Sequence, residues 1–90
     1  MTYDVDYFIK KFESIPEEMW CVRGYVSGPR RCALGHCGER FLETEESAAL
    51  QFLLDFNTAG INDGESINYP QPTPKQRILA ALRDIKEGTL

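Results

Sequence analysis

The sequence predicts a small α+β domain, mostly helical, in which three main helices pack with a short β-hairpin. Three observations predict it. Apolar residues recur at helical spacing in three separate stretches, namely Val5, Phe8, Ile9 and Phe12, then Leu50, Leu53 and Leu54, then Ile78, Leu79, Leu82 and Ile85. Between the first two stretches, Trp20 to Val26 is rich in β-formers and runs into the turn signal Ser27-Gly28-Pro29. The chain has 90 residues, which is one domain, 1–90, able to bury about 60–65% of its unfolded surface. A hydrophobic content of 42% is ordinary for a globular protein and argues against intrinsic disorder.

Each element has a local reason. Thr2 or Asp4 caps the first helix, whose wet side carries Asp6, Lys10 and Glu13. Ile15 before Pro16 is pushed toward extended backbone and stops it. Ser14-Ile15-Pro16-Glu17 reads as a capping box that opens a short helical turn ending near Trp20. In the strand that follows, Trp20, Val22 and Val26 share one side, Cys21, Arg23 and Tyr25 the other, and Gly24 marks a weak point. Arg31 to Gly38 is ambiguous, since Cys32, Ala33, Leu34 and His36 suit a helical turn that Gly35 and Gly38 shorten. Thr44 caps the central helix, with Glu45 and Glu46 at its positive end, and Asn57 to Gly60 ends it. Ile61-Asn62-Asp63-Gly64 reads as a turn, because Asp-Gly suits a type I′ hairpin, and the chain to Thr73 is loop-like. Thr73-Pro74-Lys75-Gln76 caps the last helix, which Gly88 ends.

A net charge of −4, with the acids scattered, excludes a dedicated nucleic-acid binder, which needs a basic stripe to displace counterions. No apolar run approaches the about 20 residues of a membrane span. The first residues, with Asp4 and Asp6, do not suit the basic start of a signal peptide. Three cysteines is an odd number, which speaks for free thiols in a reducing cytoplasm rather than a disulfide scaffold. A homo-oligomer is compatible with this composition.

The chemistry concentrates in Arg30-Arg31-Cys32-Ala33-Leu34-Gly35-His36-Cys37-Gly38. Cys21, Cys32, His36 and Cys37 form a Cys₃His set on paper, but zinc sites bring their ligands as spaced pairs, and adjacent His36 and Cys37 diverge on most backbones. The expectation is no metal and no cofactor, with the thiols packed as small apolar groups. A catalytic alternative uses Cys32 as nucleophile beside Arg31, His36 at i+4 as base and Asp63 as its orienter, with Asn62 a substitute for Asp63. An anion site is the next candidate. Arg30 and Arg31 lie among glycines, and Lys75 and Arg77 occupy the first turn of the last helix, where cations oppose the helix dipole unless an anion joins them. The plainer alternative pairs Arg77 with Asp63 or Glu65. Trp20, Tyr25 and Tyr69 are candidates for stacking on a ligand or partner, against the simpler expectation of core or rim. A protein-binding surface is the remaining candidate, and it calls for an exposed apolar patch.

Arg31-Cys32-Ala33-Leu34-Gly35, then Ile61-Asn62-Asp63, then Thr73-Pro74 followed by Arg77-Ile78-Leu79 and Leu82, resembles a group of small uncharacterised bacterial and phage proteins. They carry a Cys-Ala-x-Gly segment, a later Asn-Asp pair and a final helix opened by Thr. This chain departs from their pattern at His36-Cys37 and at Ile61. The resemblance implies that Cys32, Gly35, Asn62 and Asp63 belong together. The physical form of that expectation is a glycine-rich elbow packed on the Asn62-Asp63 bend, whose side chains bind exposed backbone N–H groups. The weakness of the metal and catalytic sets leaves a non-enzymatic binding protein, sequestering a host protein or a small phosphate-bearing ligand, as the expected function; the phage side of the resemblance implies that it is phage-encoded and inhibits a bacterial defence system. The ligand-binding residues expected on this reading are Trp20, Arg30, Arg31, His36, Asn62, Asp63, Tyr69, Lys75 and Arg77. The alternative is a thiol-dependent enzyme using Cys32, His36 and Asp63.

Overall fold

The computed structural model describes residues 3–24, 26–38 and 44–88. Helix α1 (Val5–Glu13) buries Phe8 and Phe12 and is capped by Asp4, whose carboxylate accepts the Tyr7 N–H at 2.9 Å. A 3₁₀ turn, Glu17–Met19, follows. Strands β1 (Val26–Ser27) and β2 (Arg30–Arg31) form an antiparallel hairpin. Helices α2 (Ala33–Cys37), α3 (Glu45–Leu53), α4 (Thr58–Asp63) and α5 (Pro74–Glu87) complete the chain. The architecture is α+β, with five α-helices among the described residues, three of which are long. Helix α5 packs along both α1 and α4, and α2 sits against α3 and α4. The core joins Phe8, Phe12, Trp20, Leu50, Leu54, Ile61, Ile78 and Leu82. Among the described residues, no helix is long and apolar enough to cross a membrane.

The caps of α3 and α5 stand where expected: Thr44 Oγ1 accepts from Ser47 N–H at 3.1 Å and Thr73 Oγ1 from Gln76 N–H at 3.2 Å. Thr44 closes its capping box with Ser47. Gly88 ends α5 in the left-handed region. The hairpin turn has Gly28 at φ +63° as the first of two central residues, the positive φ that a type II′ turn requires there.

Five expectations need correction. The strand expected over Trp20 to Val26 is shorter, because Arg23 turns at φ 62° and breaks the extended run. Cys21 is buried while Val22 and Val26 are exposed, so the strand faces are not as expected. Ser14 does not cap the 3₁₀ turn; its hydroxyl donates to the Lys11 carbonyl, and Pro16 stands at the cap without a side-chain bond. The stretch from Thr58 to Asp63 is a helix, not a hairpin turn, and Gly64 is its left-handed terminator at φ 82°. Helix α3 ends at Leu53, several residues before Asn57, with Asp55 and Phe56 both at positive φ. Thr2 and Tyr25 lie outside the described residues.

Candidate functional site

The elbow and the Asn-Asp pair are packed neighbours. Trp20 and Arg31 form a parallel bridge, and the Cys21 N–H donates to the Arg31 carbonyl at 3.1 Å. A regular parallel ladder would next join the Ala33 N–H to the Cys21 carbonyl. The Asn62 carboxamide is inserted at that step instead. Its Oδ1 accepts from Ala33 N–H at 3.0 Å, and its Nδ2 donates to the Cys21 carbonyl at 2.9 Å. Asn62 is fully buried, so its amide satisfies two backbone groups that water cannot reach. Nδ2 also donates to Asp63 Oδ1 at 3.0 Å, and that oxygen accepts the Arg23 N–H at 3.0 Å. One amide and one carboxylate thus hold together the start of the β segment, the start of α2 and the end of α4.

A cleft of about 360 Å³ opens at this junction, lined by Arg23, Gly24, Cys32, Leu34, Ala59 and Asp63. Cys32 caps α2, its Sγ accepting the Gly35 N–H at 3.4 Å. Burial pushes its thiol pKa up, against the lowering effect of that backbone bond. Burial likewise raises the Cys21 thiol, with Cys32 and Asp63 adding to the rise. Burial pulls His36 below the usual imidazole range, despite its bond to the Met19 carbonyl. That bond runs from Nε2 at 3.0 Å, and because a carbonyl only accepts, Nε2 carries the proton. The ring also stands 4.9 Å from the Trp20 ring. Among the described residues, no side-chain hydrogen bond joins His36 to Cys32 or Asp63; only the His36 backbone N–H reaches the Cys32 carbonyl, at 2.9 Å. Cys37 points elsewhere again: its thiol meets Glu46, which also takes bonds from Tyr7 and Lys11. No three His, Cys, Asp or Glu side chains converge as metal ligands among the described residues.

Of the remaining expected site residues, Arg30 is exposed on the hairpin and Arg31 is half-buried, with Nη1 reaching the Gly35 carbonyl at 3.4 Å. Trp20 is 4% exposed and lies in the core against Phe12 at 5.2 Å. Tyr69 is equally buried, and its hydroxyl bonds Asp84. Lys75 donates to the Glu13 carbonyl, the last of α1. Arg77 is 8% exposed. Its Nε bonds the Ile61 and Asn62 carbonyls, its Nη2 the Asn62 carbonyl at 2.7 Å, and its Nη1 the Gln71 carbonyl at 2.8 Å. Neither Asp63 nor Glu65 is its partner. The two cations at the start of α5 thus close the carbonyl ends of α1 and α4, where the helix dipole favours positive charge.

Two features escaped the sequence reading. Arg23 lines the cleft and donates its backbone N–H to Asp63 there. Phe52 and Phe56 face solvent at 73% and 63% exposure with their rings edge-to-face at 5.1 Å. No family model, curated protein or solved structure matches the chain.

Proposed function

We propose that this protein is a binding protein rather than an enzyme, and that it works by docking another protein on the Phe52–Phe56 edge. The observation that carries this reading is the exposed aromatic pair on costly backbone. Phe56 has φ 60° and Asp55 φ 52°, a conformation that costs non-glycine residues about 1–3 kcal/mol each. Folding alone gains little from holding two phenylalanines in water, whereas buried aromatics are frequent anchors of interfaces. The state of the thiol chemistry supports the same reading, since Cys32 is held as a neutral thiol and the His36 proton is spent on a carbonyl. The resemblance to small bacterial and phage proteins supplies the partner class, a host protein of a bacterial defence system met in the cytoplasm.

A second reading, a small phosphate-bearing ligand, is favoured by the hairpin. Arg23 and Arg30 make no ion pair among the described residues, whereas Lys11, Arg83 and Lys86 do. The deciding experiment is co-purification from a bacterial host with tagged protein and with Phe52→Ser/Phe56→Ser. The expected result is a stoichiometric partner that the double variant loses, while its unfolding free energy shifts by no more than about 0.5 kcal/mol. A partner retained by the double variant and lost on Arg30→Ser/Arg23→Ser would transfer the function to the hairpin.

A further inference from the structure

The cleft at the elbow has its own chemistry, separate from the aromatic edge. Its volume of about 360 Å³ lies at the small end of ligand clefts, which run from about 300 to 1,000 Å³. Cys32, Leu34 and Ala59 give it an apolar surface, and its two formal charges, Asp63 and Arg23, are of opposite sign. They form no ion pair with each other among the described residues. Asp63 is held in place, because Oδ1 takes the Arg23 N–H and the Asn62 Nδ2–H, each at 3.0 Å. Oδ2 carries no hydrogen bond among the described residues, so the site keeps one fixed acceptor in reserve. The Arg23 guanidinium is exposed and without a carboxylate partner.

We propose that this cleft binds a small zwitterion with an apolar body, of the class of the aliphatic α-amino acids. The ammonium donates to Asp63 Oδ2, the carboxylate takes the Arg23 fork, and the side chain covers Leu34 and Ala59. Charge-assisted bonds of this kind are stronger than neutral ones. The fixed carboxylate selects against the alternatives. A phosphate dianion in the cleft meets Asp63 at close range and is repelled, so it is rejected by the group that welcomes an ammonium. A simple amine leaves Arg23 unanswered, and a simple carboxylic acid leaves Asp63 unanswered.

The test uses purified protein with L-leucine, isopentylamine, 4-methylpentanoate and inorganic phosphate as probes, read by calorimetry and by amide chemical shifts. Saturable binding of L-leucine at millimolar concentration is expected, with shifts at Gly24, Leu34 and Ala59. Each single-charge analogue is expected to bind at least about tenfold more weakly, the loss of one charge-assisted bond. Asp63→Asn retains an Oδ1 acceptor for Arg23 N–H and Asn62, so it keeps the scaffold while removing the charge; it is expected to lose L-leucine binding. Absence of L-leucine binding to the wild-type protein, shifts that map away from the cleft, phosphate binding in the cleft, or unchanged affinity in Asp63→Asn would each overturn the proposal. Should Asp63→Asn unfold, Arg23→Gln, which changes only an exposed side chain, carries the same test.

Discussion

Asn62 shows how one side chain can substitute for a ladder step. Among the described residues its carboxamide is the one partner of the Ala33 N–H and the Cys21 carbonyl, both on buried residues. Asn62→Ala leaves a donor and an acceptor stranded, each costing about 1–3 kcal/mol. The expected loss is therefore about 2–6 kcal/mol in urea unfolding followed by Trp20 fluorescence, and a loss under about 1 kcal/mol would refute the insertion as a structural device. The Cys32 thiol belongs to the same scale. Its raised pKa and burial predict slow alkylation by iodoacetamide near neutral pH, speeding up only when the protein unfolds. A rate above that of a free thiol would revive the catalytic alternative. The expected packing of the Cys32 elbow on the Asn62-Asp63 bend is met by the Ala33–Asn62 bond and the shared cleft. Which atoms meet was not legible in the sequence. A carboxamide has both a donor and an acceptor and suits many partners, so the residue type leaves its target open.

At the scale of elements, the helices were legible where cap and stripe agree, as at Thr44 and Thr73. Helix α4 was not, for a physical reason. An Asp-Gly pair signals positive φ at the glycine, and both a type I′ turn and a left-handed helix terminus need it. Local chemistry does not separate the two, and packing on α5 decides. The cations of α5 were misread in a similar way. Lys75 and Arg77 sit at the wrong end of their own helix but at the right end of α1 and α4, and carbonyl acceptors leave no mark in a sequence. Gly64 tests the α4 junction. A Cβ there would meet Arg77 Cζ at 3.3 Å, on backbone already at φ 82°, while at Gly88, with φ 76°, it would meet nothing. Gly64→Ala and Gly88→Ala share the backbone strain, of about 1–3 kcal/mol. Gly64→Ala is expected to cost more in thermal unfolding, because the guanidinium is fixed by its carbonyls and has little room to give. Equal costs would mean that Arg77 yields freely and is not the clamp described.

For the molecule as a whole, stability against pH follows from three half-buried groups that tie α1, α2 and α3 together. Burial alone would raise the Glu46 carboxyl, but bonds from Lys11, then Tyr7 and Cys37, outweigh it and hold it below the usual carboxylate range. A lowered carboxyl contributes stability above its unfolded pKa, about 4.3, that is lost as pH falls toward its folded value. His36, lowered by burial, acts in the same direction from a higher starting point. The unfolded chain takes up a proton there from about pH 6.5 downward while the folded chain resists it, so stability already declines from that pH. Tyr7 works on the other side. Burial, and then the bond to Glu46, pushes its hydroxyl up to about 12. A raised acid is fully stabilising below its unfolded pKa, about 10, and the contribution drains away as pH climbs to the folded value. Thermal unfolding should therefore show a plateau from about pH 7 to 8, a two-step acid limb, and an alkaline limb that the raised Cys21 and Cys32 thiols open from about pH 8.5 and Tyr7 deepens from about pH 10. His36→Gln is expected to remove the first acid step and leave the second. Glu46→Gln is expected to flatten the second and also to make the Tyr7 part of the alkaline limb shallower, because without the charged neighbour the folded hydroxyl titrates closer to its unfolded value. An alkaline limb of unchanged depth in Glu46→Gln would show that Glu46 does not hold up the Tyr7 hydroxyl, leaving Lys11 as the partner of Glu46 that joins α1 to α3.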